Sequence, residues 1–214
     1  MQIASVNVGS ARRLDLGRRV VTTGIYKIPV EGPVHVGRLG IDGDVIVDHR
    51  HHGGADQAIY VYGSIDYEWW SRELGEEIGP GSFGENLTVE GLLEEHVCIG
   101  DHVRCGDVEL VVTQPRMPCF KLGIRFGRAD MVTRFQRSGR SGFYFAVVSE
   151  GEIGAGDALE LVPSRGDRVS VADVARLYTE GSEDDGLVRR ISRLPALPEE
   201  WRRYFRSRLP EADA

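Results

Sequence analysis

Val97-Cys-Ile-Gly-Asp-His-Val-Arg-Cys-Gly-Asp-Val-Glu-Leu-Val-Val-Thr-Gln114 holds three short β-branched runs separated by Gly100-Asp101 and Gly106-Asp107. The runs suit strands, and the Gly-Asp pairs supply turn conformations between them. The same rhythm continues in both directions. Upstream, residues 3–8, 20–28, 34–36, 44–47, 58–61 and 87–89 read as strands, punctuated by Gly40, Gly43, Gly53 and Gly54. Downstream, residues 142–148 form an aromatic, β-branched and therefore buried strand, and residues 158–162 close the unit. Short strands with turns every ~8–12 residues predict a mainly β fold, barrel or sandwich, and not a parallel α/β sheet. Only residues 66–74, with Tyr67, Trp70 and Leu74 at helical spacing, and residues 131–136 predict helices inside it.

The pattern changes after Pro163-Ser-Arg-Gly166. Ser170 and Asp173 stand at capping-box spacing, and Val171, Val174, Ala175 and Tyr178 share one helical face. Ser182 is the expected cap of a second helix, whose apolar face is Leu187, Ile191 and Leu194. Pro198 suits the start of a third, carrying Trp201, Tyr204, Phe205 and Leu209. The expected organisation is a β domain over residues 1–163 and a three-helix unit over residues 168–210. So small a bundle needs a partner surface, either the β unit or a second copy of the chain in a homodimer.

Composition narrows the function. The 214 residues are 41% hydrophobic and 28% charged, a globular balance, and the net charge of −7 argues against nucleic acid or an acidic membrane as partner. No apolar run approaches the ~18 residues of a membrane span. Three cysteines form no disulfide framework, and no signal-like leader is visible, so a cytoplasmic protein is expected.

The chemistry concentrates in Gln114-Pro-Arg-Met-Pro-Cys-Phe-Lys121. Two prolines stiffen the backbone before Cys119, fixing a thiol at a strand end. Residues 115–140 carry seven cations (Arg116, Lys121, Arg125, Arg128, Arg134, Arg137 and Arg140) against the single acid Asp130. Cations beside a thiol favour the thiolate and can also hold an anion such as phosphate. Cys98 sits in a strand pattern and Cys105 before a turn, so both read as buried hydrophobes. In Asp48-His-Arg-His-His-Gly-Gly-Ala-Asp56, His49 and His51 are spaced to hold zinc from one face of a strand, which keeps a metal hydrolase open as an alternative. The glycines after them let a ligand approach the backbone. In Gly81-Ser-Phe-Gly-Glu-Asn-Leu87, Glu85 and Asn86 offer acceptor and donor groups suited to a heterocycle edge. No flavin, nicotinamide or iron–sulfur motif is visible, so a redox role would need electrons from another protein.

Lys27-Ile-Pro-Val30, Gly43-Asp44, His52-Gly-Gly-Ala-Asp56, Phe83-Gly-Glu-Asn-Leu87, Ile99-Gly-Asp101 and Gln114-Pro-Arg-Met-Pro-Cys119-Phe-Lys121 together resemble the MOSC domain, named for molybdenum cofactor sulfurase C-terminal domains. The tail resembles the three-helix domain of its bacterial hydroxylaminopurine-resistance subgroup. The resemblance implies an α+β, barrel-like MOSC domain that binds the molybdenum cofactor (molybdopterin). It implies Cys119 as metal ligand and catalytic residue. It also implies a cofactor site drawn from Lys27, His52, Gly53, Gly54, Asp56, Gly84, Glu85, Asn86, Arg116, Lys121 and Arg140. Arg116, Lys121 and Lys27 are the candidates for the cofactor phosphate, and Glu85-Asn86 for its pterin edge. The implied activity is reduction of small N-hydroxylated compounds, bases included, with electrons from a partner reductase. The alternative is a non-catalytic carrier of the cofactor, or of sulfur as a persulfide on Cys119.

Overall fold

In the computed structural model of the chain, which describes residues 1–17, 19–48, 52–181 and 184–210, the expected strand rhythm forms one main sheet. Its strands are β1 (Gln2–Gly9), β4 (Lys27–Pro29), β7 (Ile59–Gly63), β8 (Leu87–Glu90), β9 (His102–Cys105), β10 (Val108–Pro115), β11 (Phe143–Ser149) and β13 (Glu160–Val162). They pair in the order β13-β9-β10-β11-β7-β8-β1-β4. Two small sheets flank them. One joins β2 (Arg12–Asp15) to β3 (Val20–Thr23), and the other joins β12 (Gly151–Ile153), β5 (Val34–Gly37) and β6 (Gly40–Ile41). The α-helices among the described residues are α1 (Ser64–Leu74), α2 (Phe120–Phe126), α3 (Met131–Ser138), α4 (Val171–Glu180), α5 (Asp185–Ile191) and α6 (Glu199–Arg206).

The architecture is mixed α+β and mostly sheet. No continuous ladder closes the main sheet into a barrel among the described residues. The sheet nevertheless curls. Ile3 N donates to Asp157 O at 2.9 Å and Leu159 N to Met1 O at 2.8 Å, so β1 reaches the chain leading into β13. Pairing is antiparallel except between β7 and β8, where Val61 faces Leu87 in parallel. A parallel pair needs a long crossover, and α1 provides it.

Several expected strands differ. Residues 20–28 split at Gly24-Ile25-Tyr26 into β3 and β4. A side chain on Gly24 would place Cβ 2.1 Å from Val45 O, so two backbones touch there and no ladder continues. Residues 44–47 form no strand, because the Asp44 side chain takes the Gly9 N–H and apolar residues 45–47 line a cavity instead. Residues 97–99 pair with the tail: Val171 N donates to Val97 O at 2.9 Å and Ile99 N to Val169 O at 3.0 Å. Helix α2 was not anticipated from periodicity. It begins immediately after Cys119 and ends on Gly127 at φ 63°, where a side chain would be strained.

Two hydrophobic clusters hold the elements together. The larger joins the sheet (Ile3, Val61, Leu110, Phe145) to the tail (Val174, Leu177, Ile191, Phe205), with each of these residues buried. The smaller is aromatic: Tyr62, Tyr67, Trp70, Phe83 and Phe135 pack under α1, α2 and α3. Ser170 caps α4 as expected, accepting from Asp173 N at 3.0 Å. The expected cap Ser182 lies outside the described residues, and Asp184 caps α5 by accepting from Leu187 N at 2.9 Å. No helix among the described residues is long and apolar enough to cross a membrane.

Candidate cofactor and active site

Strand β10, between β9 and β11 in the sheet, ends at Pro115. Arg116 N donates to Gly142 O at 3.1 Å, which keeps Arg116 beside the start of β11. Its side chain is 5% exposed and runs between aromatic faces, with the guanidinium carbon 4.8 Å from the Phe135 ring centre and 5.3 Å from that of Tyr60. Nη2 reaches Phe83 O at 3.4 Å, and Nη1 is buried with no hydrogen-bond partner. Cation–π contact supports such a charge only partly, and an unmet buried donor costs on the order of 1–3 kcal/mol.

Arg116 lines a cavity together with Cys119, Lys121, Lys27, His52, Gly53, Gly84 and Asn86. Eight of the expected site residues are thus on one surface, drawn from chain positions 27 to 121. The enclosed space is about 110 Å³, room for a single ring, and it opens at one side, so a larger group would lie partly in the mouth. Cys119 is partly exposed and is the residue on which α2 starts. Gly84 has φ 80°, and a Cβ there would sit 2.9 Å from Ile25 Cγ1, so the wall at that point is bare backbone.

The three cations of this surface are not alike. Lys27 is ion-paired with Asp44, and burial, opposed by that carboxylate, holds its ammonium below the usual lysine range. Lys121 Nζ lies 3.3 Å from Asp48 Oδ2. Arg116 has no carboxylate partner among the described residues. It is therefore the cation whose charge is uncompensated inside the cavity.

Four expected residues, Gly54, Asp56, Glu85 and Arg140, are not on this cavity. Glu85 is fully buried behind the wall, where its carboxylate accepts from the Tyr67 hydroxyl, Gly81 N (2.7 Å), Phe83 N (3.2 Å) and the Thr88 hydroxyl (2.8 Å). Burial pushes its pKa up, and those donors pull it down. It shapes the Gly81–Gly84 turn from within and presents nothing to the cavity. Asp56 is exposed in a short 3₁₀ turn after Gly54, and its backbone carbonyl accepts the Thr113 hydroxyl at 2.6 Å. Arg140 pairs with Asp66 and lies over Trp69, on a separate cavity. His49 and His51 lie outside the described residues, and no group of three His, Cys, Asp or Glu is assembled for a metal among the described residues. Cys98 and Cys105 are buried, and burial raises both thiols.

Sequence reasoning gave no site role to Tyr60, Gln57 and Tyr144, and took Asp44 only as part of a motif, yet all four line the surface. Asp44 is its organising carboxylate, accepting from Gly9 N at 2.8 Å, from Lys27 and from Asn86 Nδ2 at 2.9 Å. Asn86 is thereby committed to protein partners, since its Oδ1 also accepts from Tyr60 N at 3.1 Å. An acid at the head of an apolar run, 44–47, was the available signal for Asp44. Tyr144 could be inferred from alternation, because Phe143 and Phe145 face the core and the residue between them faces away.

Beyond Cys119 the same residues border a second cavity, of about 590 Å³. It shares Cys119, Lys121, Tyr144 and His52 with the first, and its far side is Tyr178, Glu200, Trp201 and Tyr204 of the tail. The helical tail therefore forms part of the surface that Cys119 borders.

Residues 48–160 match the MOSC domain family, and residues 169–211 match the YiiM-like, 3-alpha helix domain. The Protein YiiM of Escherichia coli is 35% identical over 86% of this chain and 83% of its own length. A protein named Reductase from Gibberella moniliformis is 34% identical over 90% of this chain, which spans 35% of that longer protein. The crystal structure of YiiM from Geobacillus stearothermophilus superposes with a TM-score of 0.82 at 36% identity, covering 98% of this chain and 99% of that one.

Proposed function

Since the chain belongs to the MOSC family and carries the YiiM-like three-helix domain behind it, we propose that it binds a molybdenum cofactor through Cys119 and reduces small N-hydroxylated compounds. The observation that carries this reading is Arg116, buried with its Nη1 unpartnered, on the cavity that Cys119 also lines. A buried guanidinium without a carboxylate fits an anionic group, and a pterin dithiolene with its phosphate is anionic. A thiolate is a soft donor suited to a thiophilic metal. Because no group of three His, Cys, Asp or Glu is assembled among the described residues, the metal's remaining donors would come with the cofactor.

When bound, the cofactor supplies two-electron redox chemistry with oxygen-atom transfer. The chain's own residues hold and orient. Cys119 anchors the metal, Arg116 and Lys121 face the anionic part, and the Gly84 backbone lets a flat ring lie close to the wall. The Asp44–Lys27–Asn86 network fixes that wall. The overall change, R–NHOH with two electrons and two protons to R–NH2 and water, consumes reducing equivalents, and a separate reductase supplies them in this reading. The name of the fungal relative is consistent with a reductive role. The three free thiols suit a reducing, cytoplasmic compartment.

Protein produced in a host that makes the cofactor is expected to contain molybdenum and a pterin in equal amounts. It is also expected to reduce hydroxylamines with an artificial electron donor. Zinc in place of molybdenum would overturn the reading. Molybdenum without turnover would reassign the chain to carriage of cofactor, or of sulfur on Cys119.

A further inference from the structure

We propose that the β2–β3 hairpin, together with Phe120 and Arg125 of α2, forms a docking surface for an acidic electron-carrier protein and brings that carrier beside Cys119. The inference rests on the reductase reading above and assigns where the electrons enter. In that reading one turnover takes R–NHOH, two protons and one electron from each of two reduced carriers to R–NH2, water and two oxidised carriers. The chain's net charge of −7 works against an acidic partner in general. Residues 12–23 depart from that balance, with four arginines against the single acid Asp15, and α2 contains no acid at all.

Ring contacts join these groups into one patch. The guanidinium carbons of Arg12 and Arg125 lie 4.9 and 5.2 Å from the centre of the Tyr26 ring, and that of Arg19 lies 4.4 Å from the centre of the Phe120 ring. Arg12 stands at the base of the hairpin, opposite Thr23, and Arg19 at its tip, so the hairpin runs along α2 from Arg125 to Phe120. Arg12, Arg13 and Arg19 are exposed, and neither they nor Arg125 is paired with a carboxylate among the described residues. Arg125 Nη2 reaches Ser82 Oγ at 3.3 Å, and its Nε is buried with no hydrogen-bond partner. The guanidinium groups are spread along the hairpin on two separate rings, so they do not converge on one small anion. Hydration satisfies surface arginines, but the same hairpin also exposes Leu16 and Val20, and Phe120 is 46% exposed. Arginine and aromatic side chains together are the composition of a protein interface. The hairpin pairs with no further strand among the described residues, and a two-stranded ribbon gains stability from a surface laid against it. Phe120 follows Cys119 and lines the cavity that Cys119 borders, so a protein seated on the hairpin meets the residue next to the thiol. Electron-transfer encounters are among the smallest specific interfaces, under ~1,200 Å², and two short elements can supply one.

Two measurements test the surface, with a plant-type ferredoxin, a small acidic one-electron carrier, as the probe. Its binding is titrated by calorimetry at low salt, on protein that need not carry cofactor. Saturable binding is expected, with Kd raised about tenfold or more in the double variant Arg12→Glu/Arg19→Glu. Raising the salt from about 20 to about 200 mM should weaken wild-type binding as well, because screening shortens the reach of surface charge. Arg190→Glu/Arg193→Glu makes the same charge change at exposed tail positions and should leave Kd within about twofold of wild type. No saturable binding, or equal weakening by the two double variants, overturns the proposal. The second measurement compares turnover of a hydroxylamine driven by reduced ferredoxin with turnover driven by a small viologen donor. Arg12→Glu/Arg19→Glu is expected to lower kcat/KM for ferredoxin about tenfold, through KM, and not to lower the viologen-driven rate. An equal loss with both donors, or viologen-driven turnover with none from ferredoxin, overturns the surface as the point of electron entry. If wild-type protein reduces nothing with the viologen, the reductase reading fails, and the calorimetric titration still decides whether an acidic carrier docks here.

Discussion

Cys119 and Arg116 sit three positions apart but do different work. The thiol is partly exposed where a proline-stiffened segment meets α2, so its removal leaves the core untouched. Cys119→Ser is expected to lose molybdenum while circular dichroism and melting temperature stay at wild-type values. Cys98→Ala and Cys105→Ala should retain the metal. Equal metal in Cys119→Ser and wild type would take Cys119 out of the site. Arg116 is the opposite case, a buried donor without a partner. In cofactor-free protein its unmet Nη1 is a cost, so Arg116→Met should leave the melting temperature unchanged or raise it. The same substitution should weaken cofactor retention about tenfold or more, because hydrogen bonds to charged groups contribute about 1.5–3 kcal/mol. A variant that destabilises the cofactor-free protein and keeps its cofactor through desalting would contradict this division.

At the scale of elements, the loop before β11 controls where Arg116 lies. Glu94 accepts from Gly142 N and from the backbone and hydroxyl of Ser141 (3.2 and 3.1 Å), and Gly142 O in turn accepts from Arg116 N. Burial pushes the Glu94 carboxyl up to about 7, only partly opposed by those donors. The folded protein therefore binds a proton that the unfolded chain, with a carboxyl at about 4.5, releases. This contribution to stability is complete below the unfolded value and is lost as pH rises through about 7. It amounts to roughly 3 kcal/mol over that window. Urea unfolding at pH 5 and pH 8 is expected to show the loss in wild type and a smaller one in Glu94→Gln, whose amide imitates the protonated acid. Equal pH dependence in the two would show that Glu94 is ionised in the folded protein.

At the scale of the molecule, tail and sheet share one core and several main-chain bonds. Asp101 is fully buried and accepts from Cys98 N, from Ser164 N and from both ends of the Arg168 guanidinium at 3.1 and 3.3 Å. Ending the chain after Pro163 removes Ser164 and Arg168, uncovers Val97 and Ile99, and leaves a buried carboxylate without its ion pair. Arg168 is half-exposed, so the pair is screened on one side, and losing the charged hydrogen bonds to Asp101 costs about 1.5–3 kcal/mol. The 1–163 fragment is expected to be poorly soluble, or to melt at least ten degrees below the full chain with increased binding of a hydrophobic dye. A fragment that melts like the full chain would show that the β unit needs nothing from the tail.

What was legible in the chain follows from local rules. Alternation, Gly-Asp turns and helix caps depend on neighbours within a few positions, so β9 was read at its observed bounds, Ser170 at its observed role, and the tail as three helices. The short motifs brought eight of the expected site residues to one surface, because glycines, prolines and an isolated thiol mark places where backbone meets ligand. Long-range pairing was not legible. Glu85 and Asn86 are adjacent and equally polar. Only the fold turns Glu85 inward onto Tyr67 and Thr88 while Asn86 meets Asp44 on the cavity wall. Lys27 and Arg116 read alike as cations. Tertiary contacts neutralise the first with Asp44 and leave the second without a carboxylate. The rings of α6 read alike as residues of a third helix, yet Phe205 alone of them is fully buried, while Tyr204 lines the cavity beside Cys119. Sequence determined which groups exist and what local structure each adopts. Which charges are compensated, and which rings face a cavity, depends on contacts across tens of residues that only the packed chain brings together.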